Sequence, residues 1–269
     1  MSSFQVIPRR SDERGNADHG WLKTFHTFSF AMYQTQEHNQ FGHLRVLNED
    51  RVQAHTGFGT HGHKEFEIFS YVVSGQLEHR DSMGNVEILE RGDVQMTSAG
   101  TGIRHSEKAY GDKQVHFLQM WSTPSTSNLS PAYYTRHFTD EEKRDKWVRI
   151  VAPVGSDGVE DKRDSSGPAP VHSPLTAFAI LLSPGKSISH TFPTPYHGTT
   201  SKGYIHLVQK SGYNPGKANG GQVNLAGNNN SVTKLWEGDG AYITAHAGAE
   251  LTVTNTGDTT VEIILFDVE

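Results

Sequence analysis

Short β-forming runs, each closed by a turn residue, set the strictest limit on how this chain can fold. Residues 66–73, 86–89, 115–121, 177–182, 204–209, 240–244, 251–255 and 261–268 are rich in Val, Ile, Phe, Tyr and Thr. Between such runs stand turn signals such as Asp81-Ser82-Met83-Gly84-Asn85, Arg91-Gly92-Asp93 and Asn255-Thr256-Gly257-Asp258. Many short strands at this spacing build a sandwich or a barrel, so the expected class is all-β. One helix is expected, over the capping-box pattern Thr139-Asp140-Glu141-Glu142 and the basic residues Lys143, Arg144 and Lys146 behind it.

The pattern also repeats. Phe69-Ser70-Tyr71-Val72-Val73-Ser74-Gly75 is matched by His206-Leu207-Val208-Gln209-Lys210-Ser211-Gly212, and Arg91-Gly92-Asp93 by Glu237-Gly238-Asp239. Two copies of one antiparallel β unit follow from this order. The turn-rich segment Ser122 to Asn128 marks the boundary. The expected division is residues 1–128, a linker with the short helix over 129–146, and residues 147–269. Aligning the turns places Gly198 and Thr200 of the second half opposite His61 and His63, and Leu251 and Val253 near His105 and Glu107. Asn214 to Gly221 and Gly227 to Asn230 read as loop insertions.

Composition removes several functions. The 269 residues include no cysteine, so disulfides, thiolate metal sites and cysteine nucleophiles are excluded. A net charge of −6 argues against direct nucleic-acid binding as the main function. No apolar run is long enough to span a bilayer, and the first residues lack the apolar stretch of a secretory signal. The expected location is cytoplasmic, with the nucleus also open.

The chemistry is concentrated in two pairs, His61-Gly62-His63 and His105-Ser106-Glu107. In a strand, residues i and i+2 share a face, so each pair can aim both side chains at one point. Three imidazoles and a carboxylate suit one divalent first-row metal such as iron, nickel, copper, manganese or zinc. The protein has 16 histidines, and an isolated one is more often solvated or hydrogen-bonded than a ligand; the paired spacing lifts these three out of that background.

The glycine-bounded run Gly57 to Glu67, the Gly92-Asp93 turn and Ala99 to Glu107 together resemble the two motifs of the cupins. Gly20-Trp21-Leu22-Lys23-Thr24-Phe25-His26-Thr27-Phe28-Ser29-Phe30 and Phe117-Leu118-Gln119-Met120-Trp121 extend the likeness to one branch, the pirin family, and its bacterial pirin-like quercetin 2,3-dioxygenases. The likeness is dense from Arg10 to Trp121 and weaker to the C-terminus. Gly62 and Lys64-Glu65 depart from the family's usual residues, which leaves the ligands intact and changes the charge at the cavity mouth.

The resemblance implies a bicupin, two antiparallel jelly-roll β-barrels in one chain, with the metal in the first and none in the second. It implies His61, His63, His105 and Glu107 as ligands of one divalent transition metal, Fe(II) ahead of Ni, Cu, Mn, Co or Zn. It places Glu67 and Gln119 beside the pocket. It implies a flavonol-like aromatic substrate and O2 as partners. Glu107 takes the 3-hydroxyl proton, O2 attacks the flavonolate, and the central ring opens with release of carbon monoxide. The alternative that the family offers is an iron-dependent, redox-sensing transcriptional co-regulator that binds a protein partner.

Overall fold

Ile103–Ala109 shows how residue order becomes architecture here. Ile103, His105, Glu107 and Ala109 are buried while Arg104 and Lys108 are exposed, the strict alternation of a strand with one wet face. The computed structural model describes residues 4–195, 197–227 and 231–269. The Asn228 to Asn230 part of the expected insertion lies outside the described residues.

In chain order the strands are β1 (Gln5–Arg9), β2 (Gly15–Asp18), β3 (Leu22–His26), β4 (Leu44–Val52), β5 (Gly57–His63), β6 (Glu67–Ser74), β7 (Leu77–Asp81) and β8 (Val86–Leu89). There follow β9 (Asp93–Ser98), β10 (Ile103–Ala109), β11 (Val115–Ser122), β12 (Ala132–His137), β13 (Val148–Pro153), β14 (Ala169–Val171) and β15 (Leu175–Leu182). The last are β16 (Ser187–Thr191), β17 (Thr200–Leu207), β18 (Gln222–Ala226), β19 (Val232–Trp236), β20 (Gly240–His246), β21 (Glu250–Asn255) and β22 (Val261–Val268). Among the described residues no helix is long and apolar enough to cross a membrane.

The chain forms two compact units. The first, Gly15–Phe138 with Ile150–Pro174, holds a sheet in the order β12-β9-β6-β11-β4-β3-β2 and a smaller one in the order β5-β10-β7-β8. The second, residues up to Arg14 with Thr139–Arg149 and Leu175–Glu269, repeats this plan as β1-β20-β17-β22-β15 and β16-β21-β18-β19. Each is a two-sheet jelly roll, and the bicupin architecture expected from sequence is present. The units do not follow the linear division at 128 and 147. β1, from the very start of the chain, pairs with β20 (Gln5 opposite Thr244, Arg9 opposite Gly240), while residues 150–174 belong with the first unit.

The short connecting helix does not form. Its capping box does: Thr139 N donates to Glu142 Oε2 (2.7 Å), and Glu142 N donates to Thr139 Oγ1 (3.2 Å). The chain then closes as turns, because Arg144 and Asp145 bond to the Leu181 segment instead of continuing a helical ladder. Asp145 N donates to Leu181 O (2.9 Å) and Leu181 N to Lys143 O (2.8 Å). One capped turn cannot offset helix nucleation when a strand is available as a partner.

The interiors of the two units differ. That of the second is filled by aliphatic side chains, including Ile180, Leu182, Ile205, Leu207, Val223, Leu225, Leu251, Val253, Ile263 and Leu265. In the first, an apolar cluster of Leu22, Val52, Val72, Leu77, Leu89, Ala109, Val115 and Phe117 occupies one region. Buried polar residues, among them Asn48, Ser70, His79, Gln95, His105, Glu107 and Gln119, occupy another.

Gly100 sits in the tight connection that leads into β10. It has φ of 44°, and a Cβ there would collide with the Leu129 carbonyl oxygen. Gly84 also has a positive φ (91°) but open space around it. Gly84→Ala should therefore cost only the conformational penalty, about 1 kcal/mol. Gly100→Ala adds a backbone clash and should cost about 2 kcal/mol or more. Urea unfolding midpoints of the two variants compare them directly.

Candidate metal centre

β5 and β10 run antiparallel, with His61 opposite His105 and His63 opposite Ile103. Between His105 and Glu107 the register slips, so that Glu107 faces Phe58 and β5 carries one extra residue. β5 lies at the edge of its sheet and is only partly buried, so His61 and His63 approach from the accessible side while His105 and Glu107 rise from within.

The three imidazoles meet. Ring centroids are 4.7 Å apart for His61–His63, 4.6 Å for His61–His105 and 4.7 Å for His63–His105. His61 Nδ1 donates to the Gly59 carbonyl (2.8 Å), which turns Nε2 toward His105 Nε2, 3.1 Å away. Burial, reinforced by the neighbouring imidazoles, lowers the pKa of His63 to about 4 and that of His105 to about 3. Both rings are thus neutral across the physiological range, with lone pairs available to a metal. The donor set fits a divalent transition cation.

Glu107 is fully enclosed, and hydrogen bonds take the place of water around it. Gln95 Nε2 donates to Oε1 (2.5 Å) and Gln119 Nε2 to Oε2 (3.0 Å), with Ser70 Oγ near Oε1 at 3.5 Å. The Tyr133 hydroxyl donates to Gln95 Oε1 (3.2 Å), which fixes the Gln95 amide with its N–H groups toward the carboxylate. The donor atoms resolve into two overlapping trios, His61–His63–His105 and His79–His105–Glu107, each within 4.8 Å. Within the same unit, burial pushes the Asp50 carboxyl up to about 7; the nearby Thr24 side chain opposes the shift, and the charges of Glu107 and Glu49 add to it.

Gln119 lies against the Glu107 carboxylate, and Glu67 does not. Ser70 and Glu67 are three residues apart on β6, so they point to opposite faces. Ser70 faces Glu107, whereas the Glu67 carboxylate accepts from His172 N (2.8 Å) and His172 Nδ1 (2.8 Å). Glu67 therefore anchors the segment after β14. Gln95, Tyr133 and His79 were not singled out from sequence. Of these only His79 had a signal, since His79-Arg80-Asp81 is a third i, i+2 pair of ligand-type residues.

In the second unit, sheet order makes β16 the counterpart of β5 and β21 that of β10. His190 faces Leu251 and Ile188 faces Val253. His190, not Gly198 or Thr200, therefore occupies the place of His61. The turn-based alignment failed because eight residues (192–199) separate β16 from β17, against three (64–66) between β5 and β6. Leu251 and Val253 replace His105 and Glu107, and His190 Nε2 is taken up by Asp267 (2.8 Å).

A concavity of about 510 Å³ opens beside His63, with Lys64, Ser82, Ile103 and Arg104 in its walls. On another side the Trp121 ring meets His63 edge to face at 4.9 Å and packs against Phe66 (5.2 Å) and Phe30 (5.5 Å).

Comparison with known proteins gives a consistent set of likenesses. The family model for Pirin matches residues 8–122. A quercetin 2,3-dioxygenase of Escherichia coli K12 is 44% identical over 154 residues, 57% of this chain and 65% of that protein. A pirin-like protein of Caulobacter vibrioides is 32% identical over 194 residues, covering 72% of this chain and 78% of its own. The crystal structure of the Escherichia coli bacterial pirin YhhW in complex with nickel(II) superposes with a TM-score of 0.78 at 31% identity, covering 98% of this chain and 99% of that one. The chain thus spans just under two thirds of the Escherichia coli dioxygenase it matches.

The lowered imidazole pKa values carry a stability consequence. The unfolded chain binds protons at His63 and His105 near 6.5, and the folded one only near 4 and 3. Between these values the unfolded state holds more protons, so stability rises with pH across that window. Metal-free protein should weaken steadily as pH falls from about 6.5 toward 4. Urea titrations at a series of pH values measure this, and His105→Ala should flatten the dependence.

Proposed function

As this chain belongs to the pirin family, we propose that it is a metal-dependent dioxygenase that opens the central ring of flavonols such as quercetin with O2 and releases carbon monoxide. The observation that carries this reading is the convergence of three imidazoles at a partly open edge, next to an enclosed, hydrogen-bonded carboxylate. The Escherichia coli relative that bears the dioxygenase name supports the reaction class, and the nickel(II) complex of its pirin supports a divalent metal.

His61, His63 and His105 are the ligands, with Glu107 as the fourth, and Fe(II) is the proposed metal. When bound, such a metal supplies a Lewis-acid centre with open positions for ligands from solution. Glu107 then acts as the base that accepts the 3-hydroxyl proton of the flavonol. Gln95 and Gln119 each hold one of its oxygens, so the carboxylate is oriented before substrate arrives. Trp121, backed by Phe30 and Phe66, gives a planar substrate an aromatic wall beside His63. The Trp121 indole N–H is buried without a hydrogen-bond partner, which leaves a donor for a substrate oxygen.

Glu107→Gln should keep bound metal and lose turnover by about 100-fold or more, since general-base catalysis contributes on that order. Quercetin absorbance and carbon monoxide release read the turnover, and elemental analysis reads the metal. Full activity in this variant would remove Glu107 from the mechanism. Absence of quercetin cleavage with iron, nickel, copper, manganese, cobalt or zinc would reject the dioxygenase reading.

A further inference from the structure

His79 has no role in the reaction proposed above, yet it is the most constrained imidazole in the first unit. It is completely buried on β7, opposite Glu107 of β10. Its ring stacks on Tyr133 with centroids 4.7 Å apart and an interplanar angle of 17°, and it lies 5.4 Å from the His105 ring. His79 Nε2 is 3.1 Å from Asp81 Oδ2.

The Asp81 side chain is itself buried, and its oxygens accept from Met83 N (2.9 Å), Asn85 N (3.1 Å) and Asn85 Nδ2 (2.8 Å). These contacts hold it as an acceptor, to which His79 Nε2 donates. Nδ1 is then the ring nitrogen left over. That Nδ1 is buried and has no hydrogen-bond partner. His105 Nδ1 is likewise buried and without a partner.

A buried acceptor left empty costs free energy unless something electron-poor sits against it. An imidazole whose second nitrogen donates to a carboxylate is the usual arrangement of a metal ligand, because the carboxylate fixes the tautomer and raises ligand basicity. His79, His105 and Glu107 bring one ligand atom each within 4.8 Å of the others. Two imidazoles and a carboxylate are a sufficient donor set for a divalent transition cation.

We propose that His79, His105 and Glu107 form an inner seat for a divalent transition cation, an alternative to the outer seat at His61, His63 and His105. The seats share His105 and the Glu107 carboxylate, and two dications this close in a low-dielectric interior would repel strongly, so one cation occupies one seat at a time. In moving inward it exchanges the accessible ligands of β5 for ligands without solvent contact. This inference rests on the outer trio being a metal centre.

The test is Ni(II) titration by calorimetry. His61→Ala/His63→Ala removes the outer seat and should still bind about one equivalent, about 10- to 100-fold more weakly than the parent protein. Adding His79→Gln should abolish that binding. A double variant that is folded by circular dichroism yet binds no Ni(II), or one whose binding is unchanged by His79→Gln, overturns the proposal. Should the double variant not fold, nickel-edge anomalous diffraction of His61→Ala crystals decides instead. Density between His79, His105 and Glu107 is expected, and a peak confined to His63 and His105 overturns the inner seat. Wild-type protein that binds no divalent metal defeats both seats, whereas loss of all binding in the folded double variant defeats only this one.

Discussion

The antiparallel pairing of β5 with β10 is the constraint from which the centre follows. It sets His61 opposite His105 and His63 opposite Ile103 in regular register, so the two β5 imidazoles and the β10 pair share one face, and the extra residue on β5 falls outside them, where Glu107 meets Phe58. A one-residue slip of either strand would turn every one of these groups to the other face. Nothing in the propensities of His, Gly, Ser or Glu favours this pairing. It is held by the neighbours of β10: β7 on its other side, with Glu107 opposite His79, and the apolar cluster of Leu77, Ala109 and Phe117 at one end.

The second unit shows the same plan with the chemistry removed. Strand for strand the order matches, and Leu251 and Val253 project into an aliphatic interior where His105 and Glu107 would stand. Burying a carboxylate demands hydrogen bonds to both oxygens, and in the first unit Gln95 and Gln119 provide them, with Tyr133 orienting one amide. The buried carboxylate therefore requires polar partners from several strands. Loss of those partners and loss of the ligands are one change, because either half without the other leaves uncompensated polar groups.

Much of this was readable in advance. Alternation and turn residues gave the strands, and paired spacing gave the three imidazoles and Glu107. Gln119 was placed by its motif. Three features were hidden for physical reasons. Glu67 sits in a motif, but its strand phase points it at His172. The helix at Thr139 has a proper start, yet its residues find partners at Leu181 instead. Gln95 lies in a run whose sequence carries no mark of function, and only the three-dimensional approach of β9 to β10 discloses it.

The exchange of segments between units bears on how the chain is made. β1 pairs with a strand far along the chain, Gln5 with Thr244 and Arg9 with Gly240. During synthesis Gln5–Arg9 has no ladder to join until β20 has been made, so the second jelly roll cannot be completed one stretch at a time. Cutting the gene at the midpoint yields a C-terminal fragment with a bare sheet edge along β20, a template for self-association rather than a module.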